Sequence, residues 1–507
     1  MKSSYHVNLI EYFVENIKSY SDKVAIIDGN KKVSFKELYC RVVTLSSSIK
    51  SKLHNQKNQI ISVMLPKSVD SIVADLAIMW SGNAYMNLDI TNPVDRLNLI
   101  LSQNHPSMVI SREPFCSKLQ SFSGILLLDE YLDNIDESAY SEKFELKNID
   151  TDPCCVINTS GSTGVPKSVI LNHRSFIDFI EAVRYEEIIC EYEIIASLSP
   201  SIFDIYSFEL CMLMSWGCTI VIVPEHFAAF PAKLVQFLAE YKVSYLFWVP
   251  TIMVNIANMQ LLDSFNLDSL KVVWFAGEVF PTAKFNYWKE HLPNTRFFNF
   301  YGPIEITLDC LFYEVKEPID DLCQIPIGKP FRNTAVIVLD DDKEVDVGEE
   351  GELCIRGSSL AMGYYNNPEK TSAAFVQNPL NKNYPEIIYR TGDIVVQNSD
   401  GNFIFKGRKD TLIKRYGYRI ELTEIEHIVV DALKIVKNSC VLYDSKTKDL
   451  ILVYESEQEI LPKTFQSSLK SILPKYMIPN KYIYQALMPR NANGKIDRNF
   501  LKQQYCS

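Results

Sequence analysis

The stretch Thr159-Ser160-Gly161-Ser162-Thr163-Gly164-Val165-Pro166-Lys167 sets four hydroxyls and two glycines together and follows them with a lysine. Glycines let the backbone curl until N–H groups point inward, and hydroxyls add donors, so such a loop can cradle an anion. The same composition would also suit a polar surface loop. A Walker A loop is excluded, because Pro166 stands where the second glycine must sit and has no N–H to give.

The elements that would position this loop read as layered α/β structure. Apolar residues recur at helical spacing over Phe35–Lys50 and Val69–Trp80. The short runs Ile60–Met64, Met108–Ile110, Gly124–Leu128 and Cys154–Ile157 read as buried parallel strands. Strand Thr219–Val223, helix Pro231–Tyr241 and strand Tyr245–Trp248 repeat the alternation of doubly wound layers. After about Pro326 the pattern changes to short strands with turn signals, Ala335–Asp340, Glu352–Arg356, Asp393–Gln397 and Asn402–Lys406, suggesting a small β-barrel or sheet. From about Lys409 the chain reads as a compact α+β unit. We therefore expect an N-terminal core over 1–408, with a barrel-like part at about 326–406, and a C-terminal unit over 409–507.

Bulk properties bound the function. The 507 residues carry a net charge of −11, which argues against nucleic acid or an anionic membrane as the main partner. No basic leader with an apolar core opens the chain and no apolar run approaches a membrane span, so the cytoplasm is the expected compartment. The twelve cysteines are scattered without a C-x-x-C pair, and the seven histidines do not cluster. Reduced, mostly buried thiols are expected rather than disulfides or a zinc site.

The T-S-G-S-T-G-x-P-K pattern of Thr159–Lys167 resembles the phosphate loop of the adenylate-forming superfamily, which includes acyl-CoA synthetases, luciferase and the adenylation domains of nonribosomal peptide synthetases. Ser168 stands where the family usually has glycine. Further motifs follow in family order. Gly82-Asn-Ala-Tyr-Met-Asn-Leu-Asp89 with Pro93 resembles a structural motif, with Asn87 in place of proline. Asn299-Phe300-Tyr301-Gly302-Pro303-Ile304-Glu305-Ile-Thr307 resembles N-x-Y-G-P-T-E-x-T, with Ile304 for threonine.

The resemblance implies that Tyr301 stacks on adenine, that Asn299 lies near its amino group, and that Glu305 holds Mg²⁺ against the phosphates. An aromatic face suits a purine and a carboxylate suits Mg²⁺. Ala276-Gly277-Glu278, after Phe275, would wall the nucleotide pocket. Asp393 of Tyr389-Arg-Thr-Gly-Asp393 would accept from the ribose hydroxyls. Arg408 of Gly407-Arg-Lys-Asp410 would join the nucleotide site, Asp410 would be the hinge of a small mobile domain, and Gly417 would floor a pantetheine tunnel. Lys495 of Asn493-Gly494-Lys495-Ile-Asp-Arg498 would be the catalytic lysine, with Lys167 and Glu305 assisting. The implied fold is a large N-terminal domain of two doubly wound α/β subdomains plus a small β-barrel, with a small C-terminal α+β domain.

The choice between acyl and amino-acid substrates turns on Phe203-Asp204-Ile-Tyr206-Ser-Phe-Glu209, which resembles the F-D-x-S-x-x-E of amino-acid activators, with Tyr206 for serine. There the aspartate pairs with the substrate α-ammonium, and a buried carboxylate is costly without a cation. Asp204 could instead simply cap the helix that follows. Family alignment places the side-chain pocket at Ile205, Phe208, Phe247, Trp274, Ala276, Phe300, Leu308 and Asp309. Four aromatics limit its volume and favour a compact, mainly apolar side chain, proline- or alanine-like. Asp309 departs from that picture and would need a substrate hydroxyl or a protein donor.

The chain ends soon after Lys495 without a phosphopantetheine attachment motif. The expectation is thus a stand-alone monomer that uses ATP and Mg²⁺ to adenylate a small amino acid. It would pass the product to the phosphopantetheine arm of a separate carrier protein, as the resembling D-alanine and prolyl carrier ligases do. The alternatives are an acyl-CoA or aryl-acid ligase, with Asp204 incidental, and a non-catalytic module. Intact Lys167, Glu305, Asp393 and Lys495 speak against the latter.

Overall fold

Alternating apolar runs and capped helices build two large sheets that share one core. The computed structural model describes all residues except 1–5, 93, 120–121, 133–147, 160–166, 190–192, 410–411, 416–417, 445–446, 471–472, 474–476, 492–493 and 507. Asp410, Gly417 and Ser160–Pro166, including Gly161, Ser162, Thr163 and Gly164, therefore lie outside the described residues.

Among the described residues the first sheet has nine strands. Its parallel centre runs Arg296–Tyr301, Val272–Phe275, Tyr245–Trp248, Ile194–Ser197, Thr219–Ile222 and Val24–Asp28, with antiparallel strands on both edges. The second has seven strands, with Pro153–Thr159 beside Ala84–Asn87, then Ile60–Met64 and Met108–Ser111. Its other side is a hairpin, Pro153–Thr159 against Lys167–Asn172, whose outer neighbour is Gly363–Tyr364.

Two helices are buried on nearly every face. Val69–Trp80 starts at a capping box between Ser68 and Ser71 and touches strands of both sheets. Asp204–Trp216 stops at Gly217, whose left-handed φ of 61° suits a residue without Cβ. All its residues after Asp204 are buried, the polar Tyr206, Ser207, Glu209 and Ser215 included. The shared core spans these helices and both sheets.

The expected barrel-like part is a six-stranded antiparallel sheet, in which the long strand Ile387–Gln397 pairs with Glu350–Gly357, Phe375–Gln377 and Phe403–Arg408. From Ile420 onward the chain packs around a core of its own, with the strands Asn438–Asp444, Asp449–Glu455 and Lys481–Gln485. No helix among the described residues is long and apolar enough to cross a membrane. Most of the described cysteines are buried free thiols, and Cys323 is exposed.

Candidate active site

Strand ends from both sheets converge on a cavity of about 490 Å³. Such convergence at the carboxyl ends of parallel strands is where open α/β sheets place ligands. Thr159, Ala276, Gly277, Glu278, Asn299, Phe300, Tyr301 and Gly302 line it, together with Asp393, Arg408 and Lys495.

At one end the polar groups are held in place. Asp393 and Arg408 face each other across antiparallel strands, and the guanidinium donates to Asp393 Oδ1 at 2.6 Å. The Tyr301 hydroxyl donates to Asp393 Oδ2. Burial, reinforced by the Asp393 charge, holds the Tyr301 phenol well above its ordinary pKa, so it stays a donor. Asn299 donates to the Pro326 carbonyl at 2.8 Å. Glu278 accepts from the Thr251 amide and hydroxyl at 3.0 and 2.6 Å.

Glu305 is buried on a short turn, and its Oε1 accepts from the Tyr364 hydroxyl at 2.6 Å. The Lys167 ammonium lies 5.2 Å from the centre of the same tyrosine ring. Tyr364 is set there by its pairing with Val169, two residues past Lys167. Two departures from the family pattern are accommodated locally. The Ser168 hydroxyl donates to Asn158 at 2.7 Å across the hairpin, and Ile304 joins the shared core.

Lys495 reaches the cavity from the C-terminal unit. A turn at Gly494, with φ of 75°, presents it, and its ammonium donates to the Gly277 carbonyl at 2.9 Å. Lys495 and Asp204, far apart in sequence, line one cavity, and the lysine charge offsets part of the upward push that burial exerts on the Asp204 carboxyl.

Asp204 opens the buried helix and accepts from the Ile205 amide at 2.9 Å. The next turn of that helix is pinned from behind. Tyr206 donates to Asp75 Oδ2 at 2.6 Å, and Asn87 donates to the same oxygen at 3.0 Å. Asn87 and Tyr206, both departures from family motifs, thus meet on one buried carboxylate. Glu209 is held by the Ser197 hydroxyl, whose carbonyl also accepts from Lys67 at 2.7 Å.

Of the expected side-chain pocket, Ile205, Phe247, Ala276, Phe300, Leu308 and Asp309 line this cavity, whereas Phe208 and Trp274 do not. Phe208 lies one helical turn deeper, edge-on to Phe247 at 4.8 Å and to Trp274 at 5.2 Å. Trp274 points the same way as Ala276 but sits further back along its strand, behind Phe247 and Phe300. Both are fully buried and brace the wall without forming it. Phe203, the first residue of the motif that holds Asp204, also lines the cavity, as do Val249, Phe280, Gln324, Ile325 and Phe405, for which the motifs gave no signal.

Asp309 follows two consecutive left-handed residues, Thr307 and Leu308, with φ of 54° and 63°. Each such conformation costs about 1–2 kcal/mol. The turn is pressed against Gly302, where a Cβ would stand 2.2 Å from the Leu308 carbonyl oxygen.

A match to known proteins accompanies this geometry. Residues 13–365 match the model of the AMP-binding enzymes, and the chain belongs to that family. It is 30% identical to tyrocidine synthase 1 of Brevibacillus parabrevis, covering 97% of this chain and 44% of that protein. It is likewise 30% identical to zwittermicin A synthase ZmaJ of Bacillus cereus, covering 96% and 93%. The chain thus spans less than half of the first relative and nearly all of the second.

Among solved structures, Klebsiella oxytoca NpsA in complex with 3-hydroxyanthranilyl-AMSN superposes with a TM-score of 0.84 at 21% identity over 99% of both chains. The four-domain nonribosomal peptide synthetase AB3403, bound to AMP and glycine, gives 0.83 at 26% identity over 97% of this chain and 36% of that one. The chain is an adenylate-forming ligase of the AMP-binding family, with nonribosomal peptide synthetase adenylation domains among its homologues.

Mg²⁺, which such ligases generally use, suits the donors present. Among the described residues no group of three or more His, Cys, Asp or Glu side chains is placed to hold a metal. Glu305 is a single buried carboxylate, and Mg²⁺ characteristically binds through one or two carboxylates plus substrate phosphates.

Proposed function

We propose that the chain activates a compact amino acid as aminoacyl-AMP and transfers it to the phosphopantetheine thiol of a carrier protein. The observation that carries this reading is the meeting of Asp204 and Lys495 in one cavity with Tyr301, Asp393 and Arg408. Asp204 would bind the α-ammonium, and a substrate without one would leave its carboxylate unpaired, a large penalty in a buried site.

Tyr301 offers a ring face to adenine, and Asp393, aligned by Tyr301 and Arg408, offers acceptors to the ribose hydroxyls. A substrate carboxylate oxygen attacks the α-phosphorus of ATP. The bond from that phosphorus to the bridging oxygen breaks, and pyrophosphate leaves with the electron pair. Lys495 leaves the Gly277 carbonyl and places its positive charge where negative charge gathers on the reacting groups. Lys167, on the strand that follows the phosphate loop, faces the outer phosphates. Glu305 would hold Mg²⁺, which neutralises phosphate charge when bound. The thiolate sulfur of the carrier arm then attacks the acyl carbonyl carbon, and AMP departs. The relatives among peptide synthetases support the carrier as acceptor.

ATP–pyrophosphate exchange over a panel of amino acids and matched carboxylic acids without the α-amino group tests this. Amino acids are expected to support exchange and their des-amino counterparts to fall at least a hundredfold below them. Equal exchange with both, or exchange with carboxylic acids alone, would make Asp204 incidental.

A further inference from the structure

Every other carboxylate lining the cavity among the described residues has a hydrogen-bonding donor. Asp393 has Tyr301 and Arg408, Glu278 has Thr251, and Asp204 has the Ile205 amide. Asp309 lines the same cavity, is only 6% exposed, and accepts no hydrogen bond and no ion pair among the described residues. The protein donor that such a group would need is not supplied by the described residues. The cavity lining also includes the rings of Phe247 and Phe300 with Ile205 and Leu308, which offer nothing to a carboxylate. Among the described residues the two cations lining the cavity are engaged elsewhere, Lys495 on the Gly277 carbonyl and Arg408 on Asp393.

The position is built rather than accidental, because two consecutive left-handed residues and a Cβ-free Gly302 are needed to bring the chain there. Burial, with the nearby Asp204 charge adding to it, drives the Asp309 carboxyl well above the ordinary range. Two mutually repelling carboxylates lining one cavity are relieved together by a ligand carrying two positive charges a short distance apart.

We propose that Asp309 is a second specificity-determining carboxylate and that the preferred substrate is a short-chain diamino acid, its α-ammonium on Asp204 and its side-chain ammonium on Asp309. This rests on the reading of Asp204 given above. A proline- or alanine-like side chain, favoured by the aromatic walls alone, leaves Asp309 buried and unpaired. The chain must be short, because Phe208 and Trp274 close the space behind Phe247 and Phe300.

The test is ATP–pyrophosphate exchange by the full chain with 2,3-diaminopropionate, 2,4-diaminobutyrate, ornithine, alanine, proline, serine and threonine. The expected result is a kcat/KM for diaminopropionate or diaminobutyrate at least tenfold above that for alanine or proline. Asp309→Asn should collapse that ratio by tenfold or more. A wild-type preference for any neutral amino acid overturns the proposal while leaving amino-acid activation intact, and so does a ratio that survives Asp309→Asn. Exchange with des-amino acids alone would instead remove the underlying reading of Asp204.

Discussion

Replacing Asp75 by asparagine tests whether the helix carrying Asp204 is braced by a buried titrating group. Asp75 is fully buried, and burial pushes its carboxyl up to about 7 from an ordinary 3.8, against the opposing hydrogen bonds from Tyr206 and Asn87. Between those values the folded chain holds a proton that the unfolded chain has released, so stability falls as pH rises through this window. At about 1.4 kcal/mol per pH unit the whole window is worth about 4 kcal/mol, and the part between pH 5 and 7.5 about 3 kcal/mol. Asparagine keeps the shape and an acceptor for Tyr206 and Asn87 but cannot titrate. Any cost of burying its amide is the same at both pH values, and Glu209, also raised to about 7, contributes equally to both proteins.

Urea unfolding followed by tryptophan fluorescence reads the relevant region, since all five tryptophans lie between Trp80 and Trp288. The stability of Asp75→Asn relative to wild type should improve by about 3 kcal/mol on going from pH 5 to 7.5. A difference constant within about 0.5 kcal/mol, the usual limit of additivity, would refute the reasoning.

Three further perturbations have clear outcomes. Lys495→Ala should lower the exchange kcat by about 10²–10³, the scale seen when one stabilising donor to developing charge is removed, with little change in melting temperature. Arginine at 495 should not rescue it, since the planar fork cannot replace a point charge. Tyr364→Phe removes the hydroxyl that orients Glu305, a charge-assisted bond of about 1.5–3 kcal/mol, and should raise the Mg²⁺ concentration needed for half-maximal exchange about tenfold or more. Gly302→Ala would place a Cβ 2.5 Å from the Asp309 Cα as well as against the Leu308 carbonyl. Because both neighbours are backbone, kcat/KM for the amino acid should fall at least tenfold, read by exchange kinetics, with KM for ATP less affected.

Much of the architecture was legible because burial leaves a periodic trace. Helix Val69–Trp80 and strands Ile60–Met64 and Tyr245–Trp248 occur where apolar spacing placed them. Other boundaries moved by a residue or two, as with Thr219–Ile222 and Pro231–Glu240. Motif chemistry singled out Asp204 and Lys495 as candidates, although nothing in their local sequence says that they share a cavity. Depth was not legible. Phe208 and Trp274 occupy the aligned positions, yet how far each lies along its element decides whether it meets the cavity or supports it. Asp75 also escaped notice, since one acidic residue in an apolar helix looks like a solvent-facing break until Asn87 and Tyr206 arrive from other elements.

Cys323 offers an optical route into this chemistry. It is the exposed thiol among the described cysteines, Thr282 anchors its carbonyl at 2.5 Å, and the next two residues, Gln324 and Ile325, line the cavity. An environment-sensitive dye attached to that sulfur would sit at the mouth of the site on a fixed stretch of backbone. Its emission would follow occupancy in real time, so that nucleotide and amino acid could be titrated separately without waiting for turnover.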